Sequence, residues 1–222
     1  MAFPALVLSG VPPIAANATN SAALWLGTVA SARGYRREIA EHRHILMRVA
    51  AVSLVGGVLG ALLLLRTPAH VFTTLIPYLL LLATAVFALS PYLARPHSAS
   101  APHHSHWQLI AQFLVSIYGG YFGAGIGILM LAILAFSGLP SLNAMNGVKN
   151  VLAMCINGVA LIPFFIAGII WWPQATLMAV GAIIGGYLGA RIGRRVSPQH
   201  LRRFVIAVGA VMTVYFFVKI YA

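Results

Sequence analysis

The chain has 222 residues, of which 61% are hydrophobic and only 7% charged; fourteen Lys and Arg stand against two acids, Glu38 and Glu41, for a formal net charge of +12. Soluble domains carry about 25% charged residues, so composition excludes a soluble globular fold. The apolar stretches are continuous rather than alternating, which excludes a transmembrane barrel and leaves an all-α polytopic integral membrane protein in a lipid bilayer.

A helix needs about 20 apolar residues to cross the hydrocarbon core. In chain order, such runs fall at roughly 14–32, 45–65, 70–93, 107–136, 143–168, 173–192 and 200–221. Residues 1–9 are apolar but lack the basic n-region of a cleavable signal peptide. The loop 33–44, RGYRREIAEHRH, holds Arg33, Arg36, Arg37 and Arg43 and is expected in the cytoplasm by the positive-inside rule. The segment 94–106, ARPHSASAPHHSH, is polar and reads as a linker. Because the basic residues are spread through short loops, they fix orientation, and no nucleic-acid partner is expected.

The sequence repeats itself. SGVPPI (9–14) returns as SGLPSL (137–142), and TNSAALWLGTVA (19–30) as KNVLAMCINGVA (149–160). GGVLGA (56–61) returns as GGYLGA (185–190), and TPAHVF (67–72) as SPQHLR (197–202), with an offset between about 128 and 131 throughout. The matches keep their order. They divide the chain into a first transmembrane repeat at 1–95, a His/Pro/Ser linker at 96–106, and a second repeat at 107–222, each of about four hydrophobic segments. At this offset MAFPALVLSG pairs with LMLAILAFSG (129–138), so the first repeat is incomplete at its N-terminus. This favours a start placed too late over a lost span.

The arginine bias inverts between the copies. Loop 33–44 is basic, whereas its counterpart IIWWP (169–173) is uncharged and carries Trp171 and Trp172. Conversely, loop 66–70 has one arginine, while 191–203 has Arg191, Arg194, Arg195, Arg202 and Arg203. Two inverted repeats are therefore expected, as in many secondary transporters, with 33–44 and 191–203 both cytoplasmic. Inversion requires an odd number of crossings between 33–44 and 169–173, yet four candidate spans lie there. One must be a broken or re-entrant segment. The run 107–136 fits, because Gly119, Gly120, Gly123, Gly125 and Gly127 crowd its middle, and each glycine inside a helix costs about 1 kcal/mol relative to alanine.

A broken helix whose N-terminus points into a cavity offers bare N–H groups to an anion. Gly123, Gly125 and Gly127 are candidates for such donors, and close helix packing through small residues is the alternative reading of the same spacing. Lys149 lies about six residues into an apolar run, whereas the other lysine, Lys219, stands at a run's end; Lys149 is either a charge partner for an anion or a side chain snorkelling to the interface. Asn146, Asn150 and Asn157 share roughly one helical face beside it, and the first copy offers Asn17, Thr19, Asn20 and Thr28 in the equivalent region. These side chains line a polar path or hydrogen-bond between helices. No carboxylate lies in any span, which excludes a relay through intramembrane Asp or Glu. No histidine lies deep in a span, so no metal site and no serine–histidine catalysis is expected, and the single Cys155 allows no disulfide framework.

With GGYFGAGIGI (119–128), SGLP and NAMNGVKN (137–140 and 143–150), ANATN (16–20) and GGYLGARIGRRVSP (185–198) in this order, the chain resembles the sulfite exporter TauE/SafE family of permeases. The resemblance implies a bacterial inner-membrane transporter of small sulfur-containing or organic anions such as sulfite, thiosulfate, sulfonates or sulfoacetate. Members usually carry a glycine-rich opening in the first copy, which this sequence lacks. The expectation is a non-enzymatic anion permease without cofactor or metal, with substrate-binding residues Gly123, Gly125, Gly127, Asn146, Lys149, Asn150, Asn20 and Thr19. Its partners are a small anionic substrate and lipid, with homo-oligomerisation left open. A passive anion channel and a non-transporting scaffold or assembly protein are the alternatives.

Overall fold

The computed structural model describes residues 2–34, 41, 43–93, 106–137, 139, 142–181 and 198–221. Helices account for nearly all of them: α1 (Ala2–Leu8), α2 (Pro13–Gly34), α3 (Arg43–Arg66), α4 (Ala69–Leu93), α5 (His106–Tyr121), α6 (Ile126–Leu134), α7 (Leu142–Ile166), helical residues 172–181 of α8, and α9 (Pro198–Tyr221). Helix is what backbone must adopt where no water completes its hydrogen bonds. Proline marks the first position of α2 and α9, where its missing N–H costs nothing. The linker 94–105, most of loop 35–42 and the basic stretch 182–197, which includes GGYLGARIGRRVS, lie outside the described residues.

Four helical stretches are long and apolar enough to cross a membrane among the described residues: Leu46–Arg66, Ala69–Leu89, Ala144–Ile166 and Arg203–Tyr221. The expected span 14–32 is also a full-length helix, α2, of 22 residues. It falls outside that set because it is the most polar of the long helices, and its Asn17, Thr19 and Ser21 are buried against other helices.

The expected break in 107–136 is present. After α5 the chain turns through Phe122–Gly125 and returns as α6. Gly123 and Gly125 have φ of 77° and 74°, the left-handed region that glycine enters without a Cβ penalty. At the far end Gln108 Nε2 donates to the Phe136 carbonyl at 2.6 Å, and the Trp107 and Phe136 rings meet edge-on at 5.9 Å. The segment is therefore a hairpin whose end comes back beside its beginning. Its limbs have 16 and nine residues, about 24 and 14 Å at 1.5 Å per residue, and neither reaches across a core about 30 Å thick.

Side-chain contacts fix the directions of the other helices. Helix α3 runs parallel to α5, with Ser53 bonded to Gln112 and Gly60 against Tyr121. It is parallel to α7 as well: Gly57 meets Ile156, and Leu46 shares a cluster with Met145. Helices α2 and α7 are antiparallel, since Thr19 lies by Trp171 and Trp25 by Gly158. So are α4 and α9, since Thr74 is bonded to Tyr221, Tyr78 stacks on Phe217, and Thr84 meets Gly209. Three crossings, α3, α4 and α7, thus separate the end of α2 from the 167–171 turn, and the hairpin returns to the side it left.

The tightest contact is the α3–α5 crossing. A Cβ on Gly60 would strike the Ile117 carbonyl oxygen and lie 2.8 Å from the Tyr121 nitrogen, and one on Gly120 would strike the Gly57 carbonyl oxygen. In lipid, where apolar burial drives no association, backbone approach of this kind supplies packing. One apolar cluster gathers Phe3, Phe72, Tyr121, Phe122 and Phe164 around the hairpin tip. A second holds Met130, Leu134, Met145, Val148 and Leu152 between α6 and α7.

Candidate functional site

The turn of the hairpin opens into a cavity of about 390 Å³. Its walls come from α2 (Asn20, Ser21, Leu24, Thr28), α4 (Leu80, Ala83, Thr84, Phe87), α7 (Ala153, Asn157) and α9 (Val205, Gly209, Met212), closed by Phe3, Phe122 and the backbone of Gly123–Ile126. The cavity has an apolar body with a few hydroxyl and amide groups, the usual make-up of a small-molecule site. Among the described residues no titratable side chain lines it.

The turn leaves backbone groups unmatched. The Phe122 and Gly123 N–H groups both donate to the Tyr118 carbonyl, at 2.8 and 3.1 Å, and the Ile128 N–H donates to the Gly125 carbonyl at 3.0 Å. The Tyr118 hydroxyl donates to the Ala124 carbonyl at 2.8 Å. The N–H groups of Ala124, Gly125 and Gly127 find no acceptor among the described residues. They sit at the N-terminal, electropositive end of α6, whose cap Gly125 offers no side chain.

Lys149 lies on the face of α7 that carries Ala153 and Asn157, one turn outside the cavity wall. It is half-buried, its Nζ donates to Asn146 Oδ1 at 3.0 Å, and its Cδ would lie 3.5 Å from a Cβ on Gly127. The lysine stem thus runs along the first turn of α6 at ordinary van der Waals distance from Gly127. A cation and a helix N-terminus are both positive, and an anion between them would be stabilised by both.

Of the residues singled out by sequence, Asn20, Thr28, Gly123, Gly125 and Asn157 line the cavity, while Gly127, Lys149 and Asn146 form a second group at the head of α6. Asn150 is half-buried and makes no side-chain hydrogen bond among the described residues. Thr19 is fully buried away from the cavity and accepts the Trp171 N–H at 3.0 Å, tying α2 to the turn after α7. Sequence reasoning missed Thr84, Ser21 and the aromatic wall of Phe3, Phe87 and Phe122. Thr84 had no signal, being one hydroxyl in a greasy run. Asn17 reaches furthest: 1% exposed, its Nδ2 donates to the Tyr121 carbonyl at 2.9 Å and holds α2 to the last turn of α5.

An all-helical polytopic bundle with a glycine-broken hairpin opening into a cavity has the architecture of membrane transporters with discontinuous helices. The profile of the family described as Sulfite exporter TauE/SafE matches residues 1–216, and the chain belongs to that family. Similar proteins include the probable membrane transporter protein ORF9 of Sinorhizobium sp, 26% identical over 215 residues, covering 96% of this chain and 81% of that one. A probable membrane transporter protein of Haemophilus influenzae is 26% identical over 95% of this chain and 83% of its own length. The probable membrane transporter protein YfcA of Escherichia coli is 27% identical over 96% of this chain and 79% of its own. No solved structure matches the chain.

Proposed function

We propose that this transporter is a permease for small anions, with sulfur oxyanions and organosulfonates as its substrate class, working without enzymatic chemistry in the bacterial inner membrane. The observation that carries the reading is the cavity into which the glycine turn opens, beside a helix start with three unmatched N–H groups and Lys149. The anion's charge rests on the Gly125 and Gly127 N–H groups, with that of Ala124 beside them, and on Lys149 held by Asn146; Gly123, expected as a third glycine donor, spends its N–H on the Tyr118 carbonyl and serves the turn, while Asn20 and Asn150 are polar lining and Thr19 acts as a tether. The path runs between two inverted units. Support for that pairing comes from the helix starts, since Pro13 and Leu142, like Ala69 and Pro198, are 129 residues apart. Each of these pairs packs antiparallel, as inversion demands.

A flux screen in proteoliposomes tests the reading. Sulfite, thiosulfate, small sulfonates and carboxylates are offered one at a time, with counterflow measured for any that moves. Saturable flux with counterflow of one or more sulfur anions is the expected result. Flux without saturation or counterflow would mean a channel, and no flux of any anion would leave a scaffold as the better reading.

A further inference from the structure

The hairpin turn has two ends of opposite character. Its N–H-rich side, at the head of α6, is the anion side already described. On the other side α5 ends, and the last carbonyls of a helix have no partner of their own. Here Tyr121 O is taken by Asn17 Nδ2 and Ala124 O by the Tyr118 hydroxyl. Among the described residues the carbonyl oxygens of Gly119, Gly120 and Phe122 receive no backbone donor, because the Gly123 N–H goes to Tyr118, that of Ile126 goes to Gly123 and that of Ala124 goes to none of them. All three residues are buried.

Asn17 adds a fourth acceptor. Its Oδ1 is buried without any hydrogen-bond partner. Since its Nδ2 is bonded to Tyr121 O at 2.9 Å, Oδ1 is held at the same helix end. Acceptors on buried residues thus gather where the described residues supply no further donor, at the electronegative terminus of α5. A group that only accepts is matched by something that only attracts oxygen. Divalent ions take carboxylates among their ligands, and the spans contain none. Neutral carbonyl and amide oxygens at an unwound helix suit a monovalent ion.

We propose that the C-terminal end of α5 carries a seat for an alkali-metal cation, built from Asn17 Oδ1 and the open carbonyls that end the helix. The seat lies across the turn from the unmatched N–H groups, so one short stretch of backbone holds a cation at one end and faces an anion with the other. Coupling of the two ions rests on the permease reading; the seat itself does not.

The test separates them. The purified wild-type chain is heated in detergent in sodium, potassium or lithium chloride, each titrated against choline chloride at equal ionic strength, so that chloride at the anion side is constant. A saturable rise in Tm with at least one alkali cation over choline is expected, because a ligand that binds only the folded state stabilises it by mass action. Asn17→Asp places a carboxylate oxygen against the Tyr121 carbonyl, and is expected to be less stable than wild type in choline yet to gain more from the cation. Asn17→Leu is expected to lose the cation-dependent shift. Equal Tm in choline and in all three alkali chlorides would overturn the proposal, as would an Asn17→Leu protein that keeps the full shift. Should Asn17→Leu fail to fold, the wild-type titration and Asn17→Asp decide. An anion flux that fails in every condition leaves this measurement untouched.

Discussion

Gly60→Ala puts two opposing effects in one methyl group. Replacing a helical glycine by alanine is worth about 1 kcal/mol in favour of the helix. Against it, the new Cβ would run into the Ile117 carbonyl oxygen and crowd the Tyr121 nitrogen at 2.8 Å and the Gly120 carbonyl carbon at 3.0 Å. All three are backbone atoms of α5, and none can rotate aside as a side-chain tip would. The helices must part, loosening the contacts that Gly56, Gly57 and Gly120 make along the same seam. Overpacking of a well-filled interior costs about 1–3 kcal/mol, and a rigid neighbour belongs at the upper end. The net effect is a loss of about 2 kcal/mol, or roughly 4–8 °C in Tm for a chain of this size. Gly27→Ala is the control, because a Cβ there meets nothing within 4 Å and the propensity gain acts alone. Thermal unfolding of both variants in one detergent checks the balance. A Gly60→Ala protein as stable as wild type or as Gly27→Ala would refute the argument that backbone contact holds α3 to α5.

Lys149→Met is expected to insert and fold normally while losing anion transport by about 1–3 kcal/mol in apparent binding, the range for hydrogen bonds to charged groups; Lys149→Arg keeps part of the activity and Lys219→Met nearly all of it. Normal flux through Lys149→Met at wild-type expression would mean that the lysine serves only the interface. Single cysteines at Arg36→Cys and Arg195→Cys, made on a Cys155→Ser background, are expected to react with an impermeant thiol reagent from the same side of the membrane, and labelling from opposite sides would break the inverted pairing of the two units.

Much of the helix pattern was legible, for a plain reason: apolar continuity and span length are local properties, and lipid leaves the backbone no alternative to helix. The hairpin was legible too, because the parity of crossings and the glycine crowding pointed to the same residues. Which glycines did what was not. Gly119 and Gly120 pack, one under Ile126 and Ile156 and the other against α3, while Gly123 and Gly125 turn the chain. Both readings of the cluster are therefore present, four residues apart, and spacing along one helix cannot tell which side a neighbour will occupy. Lys149 was visible as a charge in a greasy run. Its stem on Gly127 and its bond to Asn146 depend on how α6 docks on α7. Asn17 was one of four polar residues singled out in α2, and its role rests on a bond across 104 residues of sequence.

The same division explains why the turn lies deep in the bundle rather than at a surface. Each unmatched backbone group in a low-dielectric interior costs several kcal/mol, and the turn has them on both sides, N–H groups at Ala124, Gly125 and Gly127 and carbonyls at Gly119, Gly120 and Phe122. At the membrane surface water would cancel that cost, and the turn would bind nothing in particular. Held between Phe3 and Phe72, with Phe122 in the turn itself, the turn keeps the cost, and the proposed ions would be bound by the difference when they relieve it. Rigidity matters as much as depth: a turn free to rewind would join α5 and α6 into one helix and match its own groups. Gln108 on Phe136, Asn17 on Tyr121 and the glycine seam between α3 and α5 hold the two limbs apart from that alternative. On the proposed reading, the contacts that look purely structural are therefore what keep the turn's backbone available to an ion.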